Sequence, residues 1–199
     1  MTQIVIATRN EHKYHEIKEI LNDLPCEFLF AGDYPELPEI EENGETLLEN
    51  AVIKAKETAK LLKMPCIADD TGFFVRGIDN RPGIYAARYA GDNCTYEDNV
   101  NKVLSEMEGI EDRYAYFSTV TAFFCPFDDY MGVGEGKVEG ELIKTKKGSK
   151  GFGYDPIFIP AGYDKTYSEM NDSQKNKISH RYKSILDLKE KIINYIRSK

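Results

Sequence analysis

Two acidic clusters hold the first chemistry visible in the sequence. Asp69-Asp70-Thr71-Gly72 follows a short apolar run, Cys66-Ile67-Ala68, that reads as a buried strand. Adjacent carboxylates at the end of such a strand are costly unless something cationic compensates them. Glu41-Glu42-Asn43-Gly44 offers a second acidic pair just ahead of a capped helix. Oxygen donors from two separate segments, with no His or Cys beside them, suit Mg²⁺ or Mn²⁺ better than zinc. A plainer reading stands level with this one: Asp69 and Asp70 cap a turn, and Glu41 and Glu42 are solvated.

Basic residues gather elsewhere. Lys144, Lys146, Lys147 and Lys150 precede Gly151-Phe152-Gly153-Tyr154-Asp155-Pro156, and Lys175, His180 and Arg181 stand at the entrance to the last helix. A helix N-terminus with free N–H groups and cationic side chains beside it is an anion site. Thr8, Asn10 and Lys13, at the first strand-to-helix turn, form a similar device. Against this, Lys146 and Lys147 suit a solvated face, and a lone histidine such as His180 is more often structural than catalytic. Known phosphate motifs are missing. Gly132-Val133-Gly134-Glu135-Gly136 fails the dinucleotide fingerprint at Lys137 and Glu139, and no GxxxxGK[ST] occurs. Neither a serine elbow nor a Cys–His pair signals nucleophilic catalysis. The residues alone lead to a metal–carboxylate site facing a phosphate pocket.

The elements that must position these groups can be read from periodicity. A buried strand from Gln3 to Ala7 leads through a turn into a helix from Glu11 to Leu21, with Asn10 as N-cap and Ile17, Ile20 and Leu21 on one stripe. A strand over Glu27 to Ala31 enters an acidic loop. Thr46-Leu47-Leu48-Glu49 is a capping box that opens a helix to Lys63, with Leu48, Ala51, Val52, Ala55, Ala59 and Leu62 inward. After Cys66 to Ala68 comes a glycine-rich excursion from Gly77 to Gly91, then a capped helix from Thr95 to Met107. Arg113 to Phe124 reads as a long strand and Met131 to Ile143 as its antiparallel partner, although glycines weaken the second. A short strand over Pro156 to Ile159 precedes a closing amphipathic helix carrying Ile178, Tyr182, Ile185, Leu186, Lys189, Ile192, Ile193 and Ile196. The order is mixed α/β, and a simple βαβ repeat does not describe it.

Composition bounds the partners. The chain has 199 residues, with 26 Lys+Arg against 34 Asp+Glu and a net charge of −8. That length suits a single domain, 1–199, in two lobes, and the acidic balance argues against a nucleic-acid partner while leaving room for a local anion pocket. No run approaches the ~20 apolar residues of a membrane helix, and the start is too short for a signal-peptide core. Cys26, Cys66, Cys94 and Cys125 show no paired spacing, as expected of buried thiols in a reducing cytoplasm.

Taken together, the segments resemble the inosine/xanthosine triphosphate pyrophosphatase family, whose members remove non-standard purine nucleotides. The matching stretches are Ala7-Thr8-Arg9-Asn10 with Lys13, Glu42-Asn43-Gly44 with Glu49-Asn50-Ala51 and Lys54-Ala55, and Ala68-Asp69-Asp70-Thr71-Gly72. Pro82-Gly83-Ile84-Tyr85, Ala87-Arg88-Tyr89-Ala90-Gly91, Gly151-Phe152-Gly153-Tyr154-Asp155-Pro156-Ile157-Phe158 and Ser179-His180-Arg181 follow in the family's order. The last two blocks are specific, while the N-terminal one is weaker alone.

The resemblance implies an α/β fold with a long, twisted, mixed central sheet flanked by helices, in two lobes with a nucleotide cleft between them. It further implies a cytoplasmic homodimer that hydrolyses ITP, dITP or XTP to the monophosphate and pyrophosphate with Mg²⁺, or Mn²⁺ in its place. On that resemblance Asp70 is the general base and a metal ligand, Glu42 the second acidic ligand, and Asp69 their support. Thr8, Arg9, Asn10, Glu11, His12, Lys13 and Lys54 hold the triphosphate, with Thr71 close to the substrate. Phe152, Gly153, Tyr154 and Asp155 line the base and sugar pocket with Lys175, His180 and Arg181. Two departures stand out. Arg9 occupies a position where many relatives have Gly, and Thr71 and Phe73 replace the usual Ser and Leu, keeping a hydroxyl and an apolar contact. A non-catalytic nucleotide-binding or regulatory module and a housekeeping pyrophosphatase for modified pyrimidines or methylated nucleotides are the alternatives. Phe73-Phe74 and Tyr114 to Phe124 suit a dimer interface and a core equally.

Overall fold

The computed structural model describes residues 2–198. They form a mixed sheet in the hydrogen-bonded order β2-β1-β3-β5-β6-β7, with β4 on β3. The strands are β1 (Thr2–Ile6), β2 (Cys26–Phe30), β3 (Cys66–Val75), β4 (Arg81–Gly83), β5 (Tyr114–Cys125), β6 (Tyr130–Leu142) and β7 (Phe158–Pro160). The helices are α1 (Glu11–Ile20), α2 (Leu47–Leu62), α3 (Tyr96–Glu106), α4 (Asp172–Asn176) and α5 (His180–Arg197). The pattern-derived fold class, α/β with a mixed sheet and helices, is what the chain adopts. Two compact units divide it: one holds the chain up to Asp70, Thr119–Gly136 and everything from Arg181 on, and the other Thr71–Ser118 and Lys137–His180.

In the first unit, β1 pairs in parallel with β2 (Ile4 opposite Phe28) and with β3 (Val5 opposite Cys66). Ile4, Ile6, Ile17, Leu21, Ile67, Phe123, Ile185, Leu188 and Ile192 make its core. Local chemistry starts the helices where the sequence suggests. Asn10 accepts from the N–H groups of His12 and Lys13, and Thr46 and Glu49 close a reciprocal capping box. Lys63, in a left-handed conformation, ends α2. Leu48 departs from expectation: it is 43% exposed, and Leu47 is buried in its place. Ala51, Ala55 and Ala59 are buried as expected, but Leu47, Asn50 and Thr58 join them in place of Leu48, Val52 and Leu62, so the helix is rotated by part of a residue step from the apolar reading. Similarly, Leu186 of α5 is exposed, whereas Ile185, Leu188 and Ile192 repeat at i, i+3 and i+7 and are fully buried. Ile178 lies ahead of α5 rather than on it.

The glycines of β6 do not break that strand. A Cβ on Gly134 would lie 2.2 Å from the Ser184 carbonyl oxygen and 2.6 Å from the Leu188 nitrogen, so the absent side chain lets the α5 backbone lie directly on the strand. Thr121 and Ser184 bind each other at 2.8 Å, and Ser184 donates to the Gly134 carbonyl.

In the second unit, β4 runs antiparallel to β3 (Phe74 opposite Pro82), and β7 antiparallel to β6 (Glu141 opposite Ile159). Helix α3 starts at a capping box between Thr95 and Asp98. The core is aromatic. Phe73 stacks on Tyr154 at 4.6 Å and packs against Phe117 at 4.5 Å. Phe73, Phe123 and Phe124 are therefore buried in their own units. The strand expected over Pro156 to Ile159 instead starts at Phe158, because Asp155–Ile157 forms a tight helical turn with Pro near its start.

One difference bears directly on function. β3 does not end ahead of the acidic pair but continues through Asp69, Asp70 and Thr71 to Val75, with Asp69 and Asp70 both buried. The two carboxylates belong to the interior of a strand, not to its end and not to a turn.

Candidate active site

The first turn after β1 is closed on itself. Thr8 Oγ1 accepts from the N–H of Asn10 at 3.1 Å, and Asn10 Oδ1 accepts from His12 at 3.0 Å and Lys13 at 3.4 Å. Asn10 thereby satisfies some of the N–H groups that the start of α1 would otherwise offer an anion. Arg9 donates to the Leu37 carbonyl at 2.5 Å, and Glu11 and His12 are exposed. Lys13 of this turn is directed at the acidic pair, with Nζ 3.1 Å from Asp69 Oδ2.

Alternation along a strand sends successive side chains to opposite faces, so Asp69 and Asp70 meet different surroundings. Arg181 Nε and Nη2 each lie 3.2 Å from Asp69 Oδ2, and Arg181 Nη1 lies 2.5 Å from Glu16 Oε2. Burial opposes ionisation of Asp69, but Lys13, Arg181 and Lys54 outweigh it and hold the carboxyl well below the usual range. Asp70 goes the other way. Burial pushes its carboxyl up and Glu42 adds to the rise, against the opposing pull of Lys54 and Lys13 and the hydrogen bond from Asn50. Two neighbouring aspartates are thus driven apart: cations hold the carboxyl of one below the usual range, while burial shifts that of the other upward.

Lys54 joins the acidic segments. Its Nζ lies 2.5 Å from Glu42 Oε1 and donates to the Asp69 carbonyl at 2.8 Å. Burial works against its charge, yet Glu42 and Asp69 more than offset this and raise its pKa. Lys13 has the reverse balance: burial dominates, and the pKa falls despite Asp69.

The remaining expected residues, except Arg181, lie in the second unit. Asp155 and Lys175 are both buried and paired at 2.7 Å, and Asp155 also accepts from the Phe152 N–H at 3.0 Å. The Lys175 ammonium sits 4.7 Å from the Phe152 ring centre, and Tyr96 lies beside that ring at 5.9 Å. The Tyr154 ring is buried against Phe73, and its hydroxyl donates to the Ala86 carbonyl at 2.9 Å. Phe152 and Gly153 keep partial exposure, and Thr71 is half-buried. The His180 ring stacks on Phe117 at 4.4 Å. Arg181, expected beside His180, instead has its guanidinium in the first unit with Asp69 and Glu16, because consecutive residues at the start of α5 point in different directions.

A family model described as "Ham1 family" matches residues 4–191. The chain belongs to the Ham1 family. A relative named dITP/XTP pyrophosphatase from Thermoanaerobacter pseudethanolicus is 42% identical over 199 residues, covering 99% of this chain and 100% of that protein. Another of that name, from Bacillus subtilis, is 43% identical over 183 residues, covering 91% and 92%. The solved structure of the Staphylococcus aureus Ham1 protein superposes with a TM-score of 0.87 at 38% identity, covering 98% of this chain and 100% of that one.

For a Ham1-family chain the donor set must be weighed against a divalent cation. Among the described residues no group of three or more His, Cys, Asp or Glu side chains forms a ready-made metal cage. Glu42 and Asp70, hard oxygen donors close enough for Glu42 to raise the Asp70 pKa, fit an ion held by one or two carboxylates with the rest of its shell left to water and phosphate. That is how Mg²⁺ is usually bound, and zinc is not suited. Two residues with no role in the sequence reading are prominent here. Asn50 is a buried amide in the inward stripe of α2, and its signal was a polar residue among Leu47, Ala51 and Ala55. Glu16 shares Arg181 with Asp69, a partnership across 165 positions that no local pattern carries.

Proposed function

We propose that this chain is a nucleoside triphosphate pyrophosphatase acting on dITP, ITP and XTP. Carrying the reading is one cluster in which Lys54 pairs with Glu42, Lys13 pairs with Asp69, and the buried Asp70 feels the charge of both lysines, in a chain related along its whole length to proteins named dITP/XTP pyrophosphatase. In the reaction, a water oxygen bonds to the α-phosphorus and the bridging α–β P–O bond breaks. The nucleoside monophosphate and intact pyrophosphate leave.

Asp70 is placed as the base that takes the water proton, for which a carboxyl pushed upward by burial is better suited than an ordinary one. Mg²⁺, held by Glu42 and Asp70, would draw charge from the phosphate oxygens. Lys13 and Lys54 supply fixed positive charge for the triphosphate. Asp69, locked to Arg181 and Lys13, keeps Lys13 beside the reacting end rather than taking a proton itself. Phe152, Gly153, Lys175 and His180 are assigned to the base and sugar. A donor such as His180 facing a purine 6-oxo group would leave buried groups unpaired with adenine, a mismatch that can reach ~10⁴-fold.

The test is a substrate panel. Purified protein with Mg²⁺ should release pyrophosphate from dITP, ITP and XTP far faster than from ATP or GTP, and chelation should abolish release. Equal rates on all five nucleotides, or orthophosphate as the direct product, would refute the reading. Tight nucleotide binding without turnover under any divalent metal would instead mark a binding module.

A further inference from the structure

We infer that Asn50 is a positioning residue for the acidic pair: one buried amide fixes the Asp70 carboxylate and the loop that carries Glu42. The inference rests on the metal role proposed above for those two carboxylates. Asn50 is 2% exposed. Its Nδ2 donates to Asp70 Oδ2 at 3.2 Å, and its Oδ1 accepts from the N–H of Gly44 at 2.8 Å.

The two partners dictate the residue. A backbone N–H can only donate and an ionised carboxylate can only accept, so the group between them must accept on one side and donate on the other. An amide does both across a short rigid span. Aspartate would set a second carboxylate against Asp70, and leucine would leave both partners without this bond. The loop is shaped to the contact. A Cβ on Gly44 would lie 2.8 Å from Asn50 Oδ1 and 2.6 Å from Glu49 Cβ, so only glycine lets the loop backbone come this close. Glu49, the neighbouring residue, accepts from the N–H groups of Glu45 at 2.7 Å and Thr46 at 3.1 Å. The first turn and a half of α2 thus holds three consecutive N–H groups of the loop, two residues after Glu42.

The chemical type of the donor also matters. Asp69 is fixed by Lys13 and Arg181, which neutralise it. A neutral amide on Asp70 restrains that carboxylate without cancelling its charge. Lys54, one helical turn along α2 from Asn50, meets Glu42. One helix face therefore sets both acids.

Outer partners of metal-binding carboxylates typically contribute ~10–100-fold in metal affinity or activity. Asn50→Leu, close in size, is the variant to make, with Asn50→Ser as a second that retains a hydroxyl but cannot reach both partners. Mn²⁺ alone is titrated into nucleotide-free protein and followed by electron paramagnetic resonance. Pyrophosphate release from dITP is measured in parallel as a function of Mg²⁺. Both variants should bind Mn²⁺ ~10-fold or more weakly and lose kcat by ~10–100-fold, with KM for the nucleotide moving less than about threefold. Mn²⁺ binding and kcat within about twofold of the parent, in whichever variant keeps the parent's circular dichroism, would overturn the inference, as would a change confined to KM. Asp70→Asn separates the two claims. If Asp70→Asn retains turnover, or the parent has none, the proposed function fails. If the parent is active and Asp70→Asn is dead while the Asn50 variants match the parent, only the positioning role fails.

Discussion

Replacing Arg181 by Met tests the electrostatic core of the first unit. The guanidinium is 2% exposed, touches Asp69 Oδ2 through two nitrogens at 3.2 Å each, and meets Glu16 Oε2 at 2.5 Å. Met fills much of the same volume, so the loss is mainly electrostatic. Asp69, fully buried, would keep the Lys13 ammonium at 3.1 Å but lose the Arg181 guanidinium. Removing one member of a buried ion pair costs about 3–5 kcal/mol because the remaining charge is left poorly compensated. At roughly 2–4 °C per kcal/mol for a chain of this size, the melting temperature should fall by about 6–20 °C at pH 7. The pH dependence sharpens the test. Asp69 has a folded pKa depressed below its unfolded value, so the stability it contributes is fully present above about pH 4 and is lost as pH falls through the folded value. Urea unfolding of both proteins at pH 7 and pH 3 should show the gap between them narrowing on acidification. A loss below about 1 kcal/mol at pH 7, or a gap unchanged at pH 3, would refute the argument that Arg181 acts through the Asp69 charge.

Three further outcomes are expected. Asp70→Asn should raise the melting temperature at pH 7 while abolishing turnover, because burial and Glu42 disfavour the ionised carboxylate in the folded state. Since the folded pKa is raised, the destabilisation is present above it and vanishes below the unfolded value near ~4, so the gain should disappear in a thermal melt at about that pH. Gly134→Ala places a methyl 2.2 Å from the Ser184 carbonyl oxygen and should cost about 1–3 kcal/mol in urea unfolding as α5 is pushed off β6. On α2, Leu48→Gln should change stability by less than about 0.5 kcal/mol, whereas Leu47→Ala should cost about 2–4 kcal/mol, a contrast that reports the helix rotation directly.

Helix starts were legible in the sequence because their chemistry is local. Asn10, Thr46 and Thr95 each cap N–H groups two or three residues away, and those contacts follow from spacing alone. Apolar spacing located α2 and α5 but not their rotation, since Leu47-Leu48 and Ile185-Leu186 each offer two neighbouring apolar residues and only packing chooses between them. The continuation of β3 through Asp69 and Asp70 was hidden for a stronger reason. Carboxylates are normally expelled from a buried strand, and here Lys13, Lys54, Arg181 and Asn50, from three different helices, make their burial tolerable.

The sequence by itself determined the kinds of groups present: hard oxygen donors, basic residues in separate segments, no signalled nucleophile, and motif blocks in the order of a pyrophosphatase family. Tertiary structure decided how the two aspartates differ. Asp69 and Asp70 are chemically identical neighbours in the chain, and nothing in their spacing separates them. Strand alternation turns them to different surroundings, where cations fix the charge of one and burial with Glu42 pushes the carboxyl of the other upward. Charge preference inside a protein depends on distance and burial, and those exist only once the helices are packed against the strand.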